Sequence, residues 1–422
     1  MNNYTDTFSQ FIQVFQILFT FWWFILPALL YYLFKFLWMD YVVEFSANSF
    51  LSKLKWTYLE IIPPKDIEKS PKVMEALYQG MAGVVASINP LRMYLKGEQM
   101  DRFSLEIVGE EGVMHFYIRT QKKFRHLIEA QIYAQFPDAE IREVQDYTQK
   151  FPKVIPNKDW DLWGTDVEKS VDDAIPIRTY DRFDEDITGT MIDPLAAMAE
   201  VIGTLGPGQH IWLQFVLDPQ SETWKGDNKK SKIIDMLSKK AVKKDMGLID
   251  HLLDVISHIF AGLMGPVEFA TSTDAADQPL EFKLTPGEKD ALKATEENMN
   301  LNFFRVKMRL LVMGRRDVFD KTYVSAFFGA IKQFSDLNMN NLKPEDKNKT
   351  YADYFMVKER LAYRQRKIYR RYKDRDMSGK TLHFSSRELA TVFHFPNMEV
   401  KAPSVTQIQA KRGSAPANLP VA

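Results

Sequence analysis

Residues 7–34 carry no charged side chain, an uncharged run of 28 residues between Asp6 and Lys35. A bilayer's hydrocarbon core needs about 20 helical residues, so the run predicts a transmembrane helix over 11–39, after a short tail at 1–10. Phe21, Trp22, Trp23, Phe24, Ile25, Leu26, Leu29 and Leu30 are its predicted lipid-facing anchor. Pro27 is tolerated in such a helix, and Tyr31, Tyr32 and Trp38 fall where amphipathic rings favour headgroups. A cleaved signal peptide would need a positive start and a small-residue cleavage site; this start carries Asp6, and bulky Lys35-Phe36-Leu37-Trp38 follows the run. Lys35, Lys53 and Lys55 come after the span and no basic residue precedes it. The positive-inside rule then places the chain in the inner (plasma) membrane as a single-pass protein, N-terminus outside and bulk cytoplasmic, with lipid as one partner.

The remaining length suits two or three domains. Charged residues make up 26% and aromatics 13%, which fits a folded body. With 55 basic and 55 acidic residues the net charge is zero, so attraction to a polyanion has to come from a local patch. The chain has no cysteine, which excludes disulfides, thiol nucleophiles and cysteine-ligated metals.

The periodicity predicts an α+β body of two ferredoxin-like units. In the first, at 50–150, Trp56–Ile62 reads as a strand and Ser70-Pro71 opens a helix. Two alternating runs, 102–108 and 113–119, flank Gly109-Glu110-Glu111-Gly112 as a hairpin. A helix over 121–136 and a strand over 139–144 complete a β-α-β-β-α-β order. The second unit, at 170–345, is expected to begin with a strand at Ile175–Tyr180. A helix from Asp193-Pro194, a strand at 210–217, a half-exposed strand at 304–312, a helix at 318–334 and a strand near 337–343 follow. A helical insertion occupies about 220–300. A basic helix and a short helix capped by Ser385 and Glu388 fill 351–395, and a Pro-rich tail takes 396–422.

No catalytic residue, metal ligand set or cofactor site is predicted. Gly379-Lys380-Thr381 matches the end of a phosphate-binding loop, but Asp374 stands where a glycine is required and the strand–loop–helix context is missing. The seven histidines form no H-E-x-x-H cluster, and Asp181, Asp184, Glu185 and Asp186 lack a spaced partner. The strongest signal is the basic helix. Lys358, Arg360, Arg364, Arg366, Lys367, Arg370, Arg371, Lys373 and Arg375 stand against Glu359 and Asp374 over residues 358–375. These nine cations are candidate contacts to phosphate or to a protein partner. Arg360, Arg364, Arg371 and Arg375 follow helical spacing, while Tyr363 and Ile368 are expected to hold the helix to the body. Residues 351–422 then read as a docking arm outside the core. A second patch, eight lysines and two aspartates over 225–244, suits headgroups or solvation, and the amphipathic helix at 248–264 suits core packing or, as the sharper alternative, the membrane interface beside the lysines.

Several stretches resemble a known family: Glu60–Pro64 with Lys69–Glu75, Phe103–Val108, His115–Arg119, Gln131–Ile141, Gly206–Gln214 and Ser386–Pro396. Together, over about residues 55–420, they resemble the membrane-anchored N-terminal region of bacterial type IV secretion or conjugation-type proteins. In many relatives that region precedes a HerA/FtsK-like ATPase domain. The resemblance implies a non-enzymatic scaffold or adaptor of a translocation system that docks a separate ATPase, compatible with a homo-oligomer. Its motifs are structural; in ATPase-bearing relatives a Pro-rich stretch like Ala415–Pro420 leads into the nucleotide-binding domain, and here the sequence stops at Ala422, so either the motor is a separate polypeptide or this is a truncated chain, and nucleotide hydrolysis is not carried over. The rival reading is a membrane-tethered nucleic-acid-binding protein that uses 358–375; nucleic acid is not the primary expected partner.

Overall fold

The computed structural model describes residues 22–38, 44–64, 67, 69–84, 91–92, 96–183, 193–220 and 285–396. The lysine patch, the 248–264 helix, Asp184–Asp186 and the tail beyond Pro396 lie outside these residues.

The chain divides into two compact units: residues 1–55 with 86–101, and residues 56–85 with 102–422. In the first, α1 runs Trp22–Leu37 and α2 runs Glu44–Lys53. This corrects the predicted span. α1 has 16 residues, about 24 Å of helix, against a hydrocarbon core of about 30 Å. Among the described residues no helix is long and apolar enough to cross a membrane. The single-pass topology and the plasma-membrane location inferred from it are therefore withdrawn. Trp23, Leu26 and Leu29 are exposed on α1, and Phe21 lies outside the described residues.

The second unit is mixed α+β on one nine-stranded sheet. Its first half contains β1 (Trp56–Ile62), α3 (Met74–Ala82), β2 (Phe103–Glu110), β3 (Val113–Gln121), α4 (Arg125–Gln135) and β4 (Glu140–Val144). β2 and β3 close on a tight turn in which Glu111 and Gly112 both have positive φ, 52° and 89°; a hairpin turn that matches strand twist demands that conformation. The second half contains β5 (Trp160–Lys169), α5 (Ala196–Gly203), β6 (Gln209–Pro219), α6 (Pro286–Met299), β7 (Phe303–Arg315), α7 (Thr322–Ile331) and β8 (Leu342–Pro344). Strand order is β4-β1-β3-β2-β6-β7-β5-β8, and the pairings are antiparallel. The first half has the β-α-β-β-α-β order and the second follows it with α6 inserted between β6 and β7, and β2 against β6 joins the halves into one sheet.

The expected first strand of the second half was misplaced. Residues 175–177 form no strand and Tyr180–Arg182 is a 3-10 turn; β5 takes that role. β5 carries Asp161, Asp166, Glu168 and Lys169, a charge density that argues for an exposed segment, yet Asp166 and Lys169 are buried against partners from elsewhere in the chain.

The expectation of a C-terminal arm outside the core is also corrected. α8 (Val357–Asp374) lies on the sheet, β9 (Leu382–Ser385) pairs with the start of β7, and α9 (Ser386–Val392) enters the main core. One sheet face, with Leu105, Ile118, Leu213 and Met308, packs against α3, α4, α5, α7 and α9. The other, with Val108, Leu162, Trp212 and Leu311, is covered by Ile368, Tyr369 and Tyr372 of α8 and by Tyr147 and Ile155.

Candidate functional site

The alternation of β7 puts Arg305, Lys307 and Arg309 on the face opposite its Val306, Met308 and Leu310. The sequence predicts that face to be half-exposed. Instead Lys307 and Arg309 are buried, because α8 and the loop after it lie over them. Charge removed from water needs partners, and strand register supplies them. Glu106 of β2 stands opposite Gln214 of β6, Gln214 opposite Arg309 of β7, and Arg309 opposite Asp166 of β5. Arg309 Nε donates to Asp166 Oδ1 at 2.9 Å and its Nη1 to Gln214 Oε1 at 3.2 Å; Gln214 Nε2 donates to Glu106 Oε1 at 3.0 Å. Lys307 Nζ lies 2.7 Å from Asp166 Oδ2.

This polar row clasps the C-terminal end of α8. Arg309 donates to the carbonyls of Arg371 at 2.8 Å and Asp376 at 3.0 Å, and Gln214 to the carbonyl of Tyr372 at 3.0 Å. Arg375 terminates the helix in the left-handed region (φ 51°, ψ 45°), uncommon for a residue other than glycine. Its guanidinium turns inward to both oxygens of Glu106 (3.0 and 3.2 Å) and both of Asp146 (2.6 and 3.0 Å). Burial alone would raise the Glu106 carboxyl, but the charge and hydrogen bonds of Arg375, with Ser104 and Tyr147, hold it below its usual range. Burial likewise opposes the Arg375 charge, and Glu106, Tyr58, Asp146 and Tyr147 together outweigh it. Arg375, one of the nine predicted contacts, is thus a structural residue, 2% exposed.

The other eight cations divide by helical phase. Gln365, Ile368, Tyr369 and Tyr372 are the buried stripe, at the spacing of one helix face. Ile368 holds the helix as expected, whereas Tyr363 is 65% exposed. Lys358, Arg360, Arg366 and Arg370 are exposed, while Arg364, Lys367, Arg371 and Lys373 are half-buried. The cations line two grooves, one on each flank of α8. The first, about 410 Å³, takes Arg360, Arg364, Lys367 and Arg371 with Lys347 and Asn348. The second, about 420 Å³, takes Arg366, Lys367, Arg370 and Lys373 with Lys153. Tyr363 and Lys367 form the ridge shared by both. Lys358 lines neither. Lys153 and Lys347 were not singled out in the sequence; nothing in their local spacing links them to a helix so far along the chain, and only the fold brings them to it.

Other sequence candidates fall elsewhere. Lys380 is exposed and pairs with Glu168 at 2.6 Å, in the loop before β9. Four histidine–carboxylate contacts among the described residues escaped the sequence reading: His115 with Glu60 at 2.9 Å, exposed His126 with Glu129 at 3.4 Å, His383 with Asp173 at 3.0 Å and buried His394 with Asp193 at 3.0 Å. Among the described residues no group of three or more His, Asp or Glu is arranged to hold a metal ion. The site is therefore a charged, grooved surface on a fixed helix, suited chemically to binding an extended anionic partner.

Residues 42–408 match the family described as Domain of unknown function (DUF8128). The chain belongs to that family. The match spans every strand of the sheet, α8 and α9, so the basic helix lies inside the DUF8128 region. No curated protein matches the chain.

Proposed function

We propose that the protein is a non-enzymatic scaffold of a type IV secretion or conjugation-like translocation system, and that it docks a separate HerA/FtsK-like ATPase. The resemblance described above motivates the system. The observation that supports a docking role is the seating of Ser386–Phe395. Phe393 meets the rings of Phe116 (5.8 Å) and Phe215 (6.2 Å), and Phe395 meets Phe116 (5.4 Å) and Phe136 (5.2 Å). Tyr78 Oη donates to the Phe393 carbonyl at 2.7 Å. Three of the segments that carry the resemblance, His115–Arg119, Gln131–Ile141 and Ser386–Pro396, thus meet in one aromatic cluster. In the proteins it resembles, a Pro-rich stretch like Ala415–Pro420 leads into the motor, and Ser386–Phe395 is the seated segment that precedes that stretch here. A lead-in rooted in a close-packed core holds a bound motor at a fixed position on the sheet body.

Two chains tagged at the N-terminus test this in native cells: the full chain and one ending at Pro396. The reading expects a Walker-A ATPase to co-purify with the full chain and to be lost from the shorter, still-folded one. Equal recovery on both chains, or ATP turnover that follows the purified protein itself and survives Lys380→Ala, contradicts it.

A further inference from the structure

We propose that the outward face of α8, with its two grooves, binds a single strand of nucleic acid. This goes beyond the scaffold reading and does not rest on it.

The first ground is a surplus of positive charge: one carboxylate lines each groove, Glu359 in the first and Asp374 in the second, against five cations in each. Among the described residues the ion pairs of α8 and its cap are made by Arg371, 3.5 Å from Asp376, and by buried Arg375. Arg360 donates to the Asp353 carbonyl at 2.9 Å, and Arg364 to the carbonyls of Lys349 and Tyr351. Carbonyl contacts fix where a guanidinium points and leave its charge whole. On a chain with equal numbers of acidic and basic residues, the field is therefore local to this ridge.

The second ground is the placement of aromatic rings among the cations. Tyr363 stands on the ridge between the grooves, with Lys367 Nζ 6.0 Å from its ring centre. Tyr351, Tyr354 and Phe355 are exposed on the approach to the helix. Exposed rings beside a cationic groove are the elements that grip a strand: bases stack on the rings while phosphates follow the cations. An acidic polypeptide would use the cations and leave the rings idle. A base-paired duplex has no free base faces to offer Tyr363.

The third ground is length. From Arg360 to Lys373 the helix advances about 20 Å. At the roughly 3.4 Å axial phosphate spacing of a stacked strand, that accommodates about six nucleotides, and fewer if the strand is stretched. Binding sites of this size are usual for a single strand-binding module. The lining side chains are chiefly Lys, Arg and Tyr, which read backbone charge and base planes, so binding tolerates sequence.

The test uses the full chain, without any ATPase, and a fluorescein-labelled oligothymidylate of about 20 nucleotides, followed by anisotropy across a salt series. The expected result is binding whose logarithm falls linearly with the logarithm of salt. Arg366→Gln and Arg370→Gln should each reduce that slope by about 0.7. Tyr363→Ala should weaken binding by about 5- to 150-fold with the slope unchanged, and Tyr363→Phe should restore it. Arg366, Arg370 and Tyr363 are exposed, and unchanged urea midpoints verify that the variants fold. Absence of binding at low salt overturns the proposal. Displacement of the strand by polyglutamate at equal charge concentration, with Tyr363→Ala behaving as wild type, overturns it in favour of an acidic protein partner.

Discussion

Arg375 and Glu106 are 269 residues apart in sequence, and the guanidinium Nε of one lies 3.0 Å from Oε1 of the other beneath the end of α8. The pair ties the C-terminal helix to the strand at which the two halves of the sheet join. Removing one partner of a buried pair strands the other charge, at a cost of about 3–5 kcal/mol. Arg375→Ala is expected to lower the urea-unfolding free energy by that amount. Arg375→Lys is expected to recover only part of it, since an ammonium cannot serve two carboxylates bidentately. Unchanged stability in Arg375→Ala would show that the clasp is not needed.

A second expectation concerns pH. His210 sits against the rings of Phe151 (5.0 Å) and Trp160 (5.6 Å). Burial, with Arg315 assisting and Glu111 opposing, pushes its pKa down to about 4. The folded protein then keeps His210 neutral between about pH 4 and 6.5, where the unfolded chain takes up a proton. Stability therefore rises with pH across that window. The histidine's contribution is complete above 6.5 and lost as pH falls toward 4, about 3 kcal/mol in all. Glu106 and Asp146, held below their usual values, add a further loss at lower pH as they become protonated. Urea midpoints from pH 7 to 4 should show the slope, and His210→Gln should flatten it; an identical slope in the variant refutes the assignment.

Close approach gives a third. A Cβ on Gly164 of β5 would lie 2.4 Å from Leu311 Cδ2, 3.1 Å from the Leu310 carbonyl oxygen and 3.2 Å from Ile368 Cγ2. α8 rests on the sheet at that bare position. Gly164→Ala should cost about 1–3 kcal/mol by overpacking, read by urea unfolding, and should loosen α8, read by faster amide exchange at Ile368 and Tyr369. Wild-type stability and exchange would mean the helix stands clear of β5.

These cases show which parts of the structure the sequence could disclose. The first half was legible because its strands alternate cleanly and Glu111-Gly112 marks the hairpin. The capping helix at Ser385 was legible too, since Ser385 and Glu388 bond reciprocally as their spacing suggests. β5 was not, because Asp166 and Lys169 look solvent-facing until Arg309, Lys307 and Glu388 are brought against them. The same long-range pairing misled the reading of Arg375, whose helical spacing from Arg371 says nothing about Glu106. The apolar run at 7–34 satisfied a length rule in sequence, but the described helix that overlaps its end, Trp22–Leu37, falls short of that rule.

The incorporation of residues 351–396 into the body is the structural premise behind both the fixed docking point and the fixed basic ridge. Two truncations test it most directly: far-UV circular dichroism and urea unfolding of chains ending at Pro396 and at Thr350. The first keeps α8, β9 and α9; the second removes the cover of one sheet face and the Phe393–Phe395 contacts of the other. The chain ending at Pro396 should unfold in one cooperative transition at the full chain's midpoint, and the chain ending at Thr350 should show no such transition. A chain ending at Thr350 that unfolds cooperatively at the full chain's midpoint would contradict the premise and return residues 351–396 to a separate arm.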